Sequence, residues 1–297
     1  MEDILNQGID VIVAIQQVHG PMLDGVFRTI TFMGGEEFYL LIVPLLFWCV
    51  DYKLGVRVAA IFLLSSYLNV GLKDLFQQPR PFDLNPGVQL SPAEGYGLPS
   101  GHAQSAVVVW GCIAAWLRRT WFWVLAAVLM LLIGFSRIYL GVHFPTDVLA
   151  GWAIGAVILG IYLAMGSGVE KWLVRLSPRQ QILLSLAVPG ALVLIHPVKY
   201  TIMAMGVLSG AGVGLSLAHR RISFSPHGPY LQKALRFIIG CAVVAALYLG
   251  FKIAFPEDGS ALSLTLRFMC FWVIGIWICF GAPWVFQRLK LAPEARK

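Results

Sequence analysis

Long, nearly uncharged apolar segments recur along the whole sequence of 297 residues. A helix needs about 20 apolar residues to cross the hydrocarbon core of a membrane. Because no water in that core can hydrogen-bond exposed peptide groups, such segments must be helical. The mean hydropathy of +0.77 and the charged fraction of only 12% lie outside the range of soluble globular domains. The sequence therefore predicts an all-α fold, a polytopic membrane helical bundle.

About nine segments are candidate transmembrane helices, of which the first is the shortest. They run at about 37–50, 56–76, 101–117, 121–140, 145–168, 181–196, 199–218, 235–255 and 264–286. The N-terminal segment has apolar residues at helical spacing among polar ones, which predicts a helix in the membrane interface or, alternatively, a short tenth span. It lacks the basic start and apolar core of a signal peptide, so we expect it to be retained.

The spans predict three regions along the chain. An interfacial N-terminal helical segment is expected at 1–35, a helical core with the polar motifs at 36–169, and a C-terminal membrane extension of about four helices at 180–297. A run of glycines at positions 206, 210, 212 and 214 is typical of a close helix–helix contact. We favour a contact within one chain and keep a homodimer face as the alternative.

Positive charge is unequally divided between alternate loops. One side carries most Lys and Arg residues, whereas the other retains only Arg28, Lys73, Arg80, Arg137, Lys199, Lys252 and Arg267. Because cytoplasmic loops retain positive charge, the N-terminus is expected outside and the C-terminus in the cytoplasm. The net charge of +7 comes from short loops and not from one basic face, so no nucleic-acid partner is expected.

Three polar segments fall on the predicted outer side, at the ends of apolar runs. They are residues 73–81, 99–102 and 136–147. Lys73, Arg80 and Arg137 bring three cations to one face, where a charge is costly unless it is used. Guanidinium groups match phosphate oxygens in bidentate geometry, and an ammonium adds a point charge. This set predicts a phosphoryl-binding site.

The same segments supply groups suited to phosphoryl transfer. Ser100 and Gly101 are typical of a helix start, where free N–H groups bind an anion. His143 and Asp147 are four residues apart around Pro145, so the carboxylate can hold one ring nitrogen while the other attacks phosphorus. His102 is the candidate general acid for the leaving alkoxide. The five cysteines form no CxxC pair or cluster with His, and no metal or cofactor is expected.

Together the motifs read Lys73-x6-Arg80-Pro81, Pro99-Ser100-Gly101-His102 and Ser136-Arg137-x5-His143-x3-Asp147. This pattern resembles the type 2 phosphatidic acid phosphatase superfamily of membrane lipid phosphatases, which is related to vanadium haloperoxidases. The resemblance implies a metal-independent reaction through a phosphohistidine. In it His143 attacks, Asp147 orients His143, and His102 protonates the leaving group. It implies phosphate binding by Lys73, Arg80, Ser100, Gly101 and Arg137.

Within that superfamily, residues 35–39 and 47–51 are similar to the sphingosine-phosphate phosphatase branch. Residues 136–145 and the nine-span plan also resemble glucose-6-phosphatase. The expected partners are a lipid phosphate substrate and membrane lipids. The substrate is expected to be of phosphatidate, polyprenyl diphosphate or sphingoid phosphate type. We expect an integral protein, of a bacterial inner membrane, and the unequal division of positive charge predicts that its site faces the periplasm. A lipid-phosphate binding or transport protein and a lipid phosphotransferase are the alternatives.

Overall fold

The computed structural model describes residues 2–222, 224–255 and 260–293, without the side chains of residues 2, 219 and 220. Within these ranges the chain forms helices and connecting loops. The helices are α1 Glu2–Gln16, α2 Pro21–Phe32, α3 Glu36–Leu45, α4 Tyr52–Phe76, α5 Pro81–Leu84, α6 Gly101–Leu117, α7 Thr120–Tyr139, α8 Pro145–Arg175, α9 Pro178–Ile195, α10 Lys199–Arg221, α11 Tyr230–Ala254, α12 Ala261–Ile276 and α13 Ala282–Arg288. The prediction of an all-α membrane fold is confirmed. Residues 223, 256–259 and 294–297 of the predicted C-terminal extension lie outside the described residues.

Seven helices in the described ranges are long and apolar enough to cross a membrane. An eighth is counted if α2 and the segment Glu36–Val50, which meet at 49°, form one broken span. Helix α6 is apolar but has only 17 residues. The chain is thus an integral multi-pass membrane protein, and the count of nine spans stays a prediction.

The chain divides into two compact units. The first comprises Met1–Leu40 and Leu68–Ala164, and the second comprises Leu41–Tyr67 and Met165–Lys297. The candidate site residues named above all belong to the first unit. In this unit the segment predicted to be interfacial forms two helices, α1 and α2, and buries Ile12, Gln16 and Thr31. The domain bounds 1–35, 36–169 and 180–297 stay a prediction.

Local sequence signals set the ends of the helices that position the site. Helix α8 begins at Pro145, whose fixed φ suits a first helical position, and Asp147 follows in its first turn. Helix α6 begins after Ser100, which has the extended backbone of an N-cap residue. The turn between α7 and α8 depends on Gly141 at φ +68°. A Cβ there would collide with the carbonyl oxygen of Val88, so glycine lets two loops of the site meet.

In the second unit, the glycine run predicted to make a close contact does so within the chain. A Cβ on Gly206 would lie 2.9 Å from the carbonyl oxygen of Phe268, and one on Gly210 would lie 1.9 Å from that of Trp272. Helices α10 and α12 therefore approach backbone to backbone. Such contact is the usual means of association where lipid removes the hydrophobic driving force between helices.

We expect Gly210→Ala to destabilise the second unit by about 1–3 kcal/mol, because the added methyl must push α12 away. Gly250→Ala in α11 is the matched control, since its Cβ would meet no atom within 4 Å. That substitution should be neutral or stabilise by up to about 1 kcal/mol, because alanine favours a helix over glycine. Thermal unfolding of both variants in detergent measures the difference, and equal midpoints would contradict the packing described.

Candidate active site

The three predicted motifs come together in the first unit at the ends of five helices. Lys73 lies in the last turn of α4, and Arg80 precedes α5. Helix α6 begins with the Ser100 motif, α7 ends with Arg137, and α8 begins beside His143. The backbone N–H of Ser100 donates to the carbonyl oxygen of Asp147 at 3.0 Å. This bond ties the second motif to the third.

His143 and Asp147 form a buried pair. Nδ1 of His143 lies 3.2 Å from Oδ2 of Asp147, and the side chains are 2% and 0% exposed. The same Oδ2 accepts the backbone N–H of Phe144 at 3.0 Å, and Oδ1 accepts the amide of Gln78 at 2.6 Å. An ionised carboxylate only accepts, so Nδ1 carries the proton and Nε2 has the free lone pair. Asp147 thereby sets the tautomer that makes Nε2 nucleophilic.

Arg80 stands beside that free nitrogen and is held by backbone carbonyls. Its Nε, Nη1 and Nη2 donate to the carbonyl oxygens of Gly95, Val142 and Glu94, each at 2.7 Å. Nη1 also lies 3.3 Å from Nε2 of His143. A guanidinium has five N–H donors. Three of those of Arg80 bind carbonyl oxygens, one faces His143, and the fifth takes no part in these contacts. The cation is oriented before any ligand arrives.

Lys73 is held from the same loop. Its ammonium donates to the carbonyl oxygens of Tyr96 and Gly97. Gly97 in turn donates its backbone N–H to the carbonyl oxygen of Gln78 at 2.8 Å. A Cβ on Gly97 would lie 3.0 Å from Oδ2 of Asp147. The loop after α5 therefore needs glycine to approach the carboxylate, and its carbonyls fix two of the three cations.

Arg137 has both a bound and an unbound donor. Its Nη1 donates to the hydroxyl oxygen of Thr31 at 2.7 Å, whereas its buried Nε has no hydrogen-bond partner among the described residues. The side chain is 6% exposed. Buried N–H groups are almost always paired. An unpaired Nε therefore indicates that an acceptor belongs beside it.

The start of α6 adds a second unpaired group. Ser100 has the N-cap position predicted for it, but within the described ranges its fully buried hydroxyl makes no capping hydrogen bond and has no partner. Gly101 packs against Asn69, since a Cβ there would lie 3.1 Å from Oδ1 of that amide. Half-buried His102 faces the turn before α3, where a Cβ on Gly35 would lie 3.6 Å from its Nε2.

The charges of the site are not balanced. Three cations accompany one buried carboxylate, Asp147, among the described residues of the first unit. Burial lowers the pKa of His143 well below its usual range, and the cations Arg80, Lys73 and Arg137 lower it further. The imidazole is therefore neutral at pH 7. A site with excess positive charge and a neutral histidine is suited to an anion that the histidine attacks.

The structure brings together all eight predicted site residues and adds others that the sequence did not single out. Gln78 binds Asp147, and Thr31 binds Arg137. Asn69 donates to the side-chain oxygen of Gln104 at 2.8 Å and lies against the Ser100 motif. Gln78 and Asn69 lie close to motif residues in the sequence, and this proximity is only a weak indication that they belong to the site. Thr31 is separated from Arg137 by 106 positions, so no local pattern connects them.

Most of the residues that form this site lie in a part of the chain that matches a known family. Residues 54–169 match the model of the PAP2 superfamily, and residues 202–294 match a PAP2 superfamily phosphatase transmembrane extension. The chain is 31% identical to phosphatidylglycerophosphatase B of Bacillus subtilis over 52% of this chain and 81% of that protein. It is 28% identical to lipid phosphate phosphatase delta of Arabidopsis thaliana over 56% of this chain and 44% of that protein. The chain thus spans less than half of the plant relative's length.

The fold of this chain is similar to that of a solved structure. The crystal structure of a transmembrane PAP2 type phosphatidylglycerolphosphate phosphatase from Bacillus subtilis aligns with a TM-score of 0.51 at 25% identity. The alignment covers 57% of this chain and 89% of that one. The similarity therefore includes nearly the whole of the smaller protein and somewhat more than half of this one.

The lowered pKa of His143 predicts how stability depends on pH. The unfolded chain binds a proton on this residue below about pH 6.5, whereas the folded chain does so only at lower pH. The contribution of His143 is thus complete above about pH 6.5 and is lost by about 1.4 kcal/mol per pH unit as pH falls toward the folded-state pKa. We expect the melting temperature in detergent to fall between about pH 7.5 and about pH 5.5, and to fall less in His143→Gln. The His19→Gln control, at a side chain that is 55% exposed, should keep the wild-type decline.

Proposed function

The chain belongs to the PAP2 superfamily, and on that premise we propose that it hydrolyses a lipid phosphate monoester or diphosphate through a phosphohistidine. The observation that carries the proposal is the His143–Asp147 pair, with its second ring nitrogen 3.3 Å from Arg80. A neutral imidazole held by a carboxylate is an activated nucleophile. A cation beside the attacking atom stabilises the phosphoryl oxygens where their charge develops.

In the first step, Nε2 of His143 bonds to phosphorus as the bond from phosphorus to the leaving oxygen breaks. The incoming phosphoryl oxygen accepts the Arg80 N–H that now faces Nε2, which frees the lone pair. Lys73, Arg137, Ser100 and the N–H groups at the start of α6 would bind the remaining oxygens. His102, which holds a proton once the bound phosphate offsets the charge of the nearby cations, gives that proton to the leaving alkoxide or phosphate. The product alcohol or lipid phosphate then leaves.

In the second step, water attacks the phosphohistidine and gives its proton to His102, and inorganic phosphate departs as Nε2 recovers its lone pair. No metal or cofactor enters either step. Asp147 keeps its position throughout, because its two oxygens are held by His143, Gln78 and the Phe144 N–H. The carboxylate stabilises the positive charge that the imidazole acquires on attack.

The proposed substrates are lipids with a terminal phosphate, of phosphatidate, polyprenyl diphosphate or sphingoid phosphate type. Two similarities support this class: the relatives are a phosphatidylglycerophosphatase and a lipid phosphate phosphatase by name. The apolar helices that carry the site also support it, because a lipid can present its phosphate at their ends while its tail stays in the bilayer.

We expect purified protein in EDTA to release phosphate from at least one member of a lipid phosphate panel. His143→Ala should lower kcat/KM by on the order of 10³-fold or more, since the nucleophile is lost. His102→Ala should lower it by about 10²-fold to about 10⁴-fold. Acid quenching of wild type and His102→Ala with labelled substrate should trap an acid-labile phosphoprotein, and His143→Ala should form none.

His19→Ala serves as the control, because this histidine lies at the surface and should keep wild-type activity. Hydrolysis that persists in both His143→Ala and His102→Ala would overturn the mechanism. Phosphate release that requires an added divalent cation would overturn the metal-independent part alone.

We further propose that the site faces the periplasmic side of a bacterial inner membrane and that the C-terminus is cytoplasmic. The unequal distribution of Lys and Arg between alternate loops supports this orientation. In a cysteine-free variant, Gln89→Cys in the exposed loop after α5 should react with a membrane-impermeant thiol reagent in cells with a permeabilised outer membrane. Arg119→Cys, between α6 and α7, should react only after the inner membrane is also permeabilised. The reverse pattern would contradict the orientation and leave the chemistry unaffected.

A further inference from the structure

We propose that Thr31 is a positioning residue that orients the Arg137 guanidinium toward the phosphoryl group, so that α2 is part of the active site. The inference rests on the proposed function, because it concerns the same phosphate site. Thr31 lies outside residues 54–169, the part of the chain that matches the PAP2 superfamily model.

Helix α2 presents one face to the end of α7. Asp24, Phe27 and Thr31 recur at intervals of three and four residues, which places them on one side of the helix. Asp24 accepts the hydroxyl of Tyr139 at 2.6 Å, and the ring of Phe27 lies 4.2 Å from that of Tyr139. These contacts fix the register of α2 against the last turn of α7. Thr31 is therefore held opposite Arg137.

The hydrogen bond between them can run in only one direction. Arginine has no acceptor, so Nη1 of Arg137 donates and the hydroxyl oxygen of Thr31 accepts, at 2.7 Å. Both side chains are more than nine-tenths buried. A bond to a charged donor in such surroundings is strong, because water does not compete for it. It restricts the rotation of a long side chain that otherwise has many rotamers.

The unpaired Nε of Arg137 indicates what this orientation achieves. With Nη1 bound to Thr31, the rotation of the guanidinium is restricted, and Nε is a buried donor without an acceptor in the part of the chain that the structure describes. The cations Lys73 and Arg80 lie near enough to Arg137 to interact with its charge, and the buried hydroxyl of Ser100 also has no partner among the described residues. A tetrahedral oxyanion supplies several acceptors at once. Thr31 thus prepares Arg137 for the ligand without touching it.

Orthovanadate is the probe, because it presents phosphate-like oxygens without a lipid tail and accepts a ligand at its fifth position. The full chain in lipid nanodiscs is compared as wild type, Thr31→Val, Thr31→Ser and Thr29→Val. Valine keeps the shape of threonine but has no acceptor, whereas serine restores the acceptor. Thr29 is the matched control, since it lies two positions away on the same helix, is exposed, and bonds only to the Gly25 carbonyl oxygen among the described contacts.

We expect Thr31→Val to weaken orthovanadate binding by about tenfold to about a hundredfold. The kcat/KM for a lipid phosphate should fall by a similar factor. Thr31→Ser should recover most of both, and Thr29→Val should match wild type. If Thr31 only stabilised the fold, Thr31→Val would lower the melting temperature, but the oxyanion affinity of the folded protein would not fall with the loss of the acceptor and return with serine. If Thr31→Val elutes as aggregate, Thr31→Cys, whose thiol is a weaker acceptor, replaces it.

Equal orthovanadate affinity in wild type and Thr31→Val would overturn the inference, and so would a wild type that binds no orthovanadate. The proposed function is tested separately. A wild type that binds orthovanadate but releases phosphate from no lipid would contradict the hydrolytic function. Even then, the effect of Thr31→Val on orthovanadate binding would decide whether Thr31 positions Arg137.

Discussion

The site depends on one unfavourable fact: Arg80 and Arg137 are buried and Lys73 is partly buried at the ends of apolar helices, and Asp147 is the one buried carboxylate among the described residues of the first unit. Desolvating a charge costs several kcal/mol unless polar groups replace the lost water. Here backbone carbonyls do so, since Arg80 donates to three of them and Lys73 to two. A carbonyl stabilises a cation without neutralising it. The excess positive charge remains available to an anion, and the same charge keeps His143 neutral by lowering its pKa.

The second unit also contains a buried arginine that is held by backbone carbonyls. Arg236, which is fully buried, donates to the carbonyl oxygens of Trp48, Ser225 and His227. Its Nε donates to the Gln232 carbonyl oxygen at 3.3 Å, so no nitrogen of this guanidinium is left without an acceptor. Arg137 differs because its buried Nε has no acceptor among the described residues. Arg236 therefore joins loops and helices of the second unit, whereas Arg137 keeps a donor within the group of cations that surrounds His143.

Residues whose chemistry suits a particular role could be predicted from the sequence to share one site, because phosphoryl transfer needs particular side chains in a particular order. Their roles stay a prediction. His143, Asp147 and the three cations belong to this class, and their place at helix ends followed from hydropathy. Groups that only hold others in position could not be predicted. Thr31 and Gln78 act through single hydrogen bonds that many residue types can make. Every residue has a backbone carbonyl, so the sequence does not identify the carbonyls that hold Arg80. The helices of the extension were predictable, but their pairing through Gly210 required the structure to identify α12 as the partner.

The way in which Arg80 is held also affects how substrates are selected. A guanidinium already fixed by three carbonyls loses little rotational freedom when phosphate arrives, so the entropic cost of capture falls mainly on the lipid. A headgroup with few rotatable bonds next to its phosphate then has an advantage over a flexible one with the same charge. Fixed donors also tolerate little displacement of the phosphorus atom, whereas the tail lies outside their reach. If the proposed function holds, the protein would therefore be strict about the geometry of the phosphate and permissive about the chain that carries it.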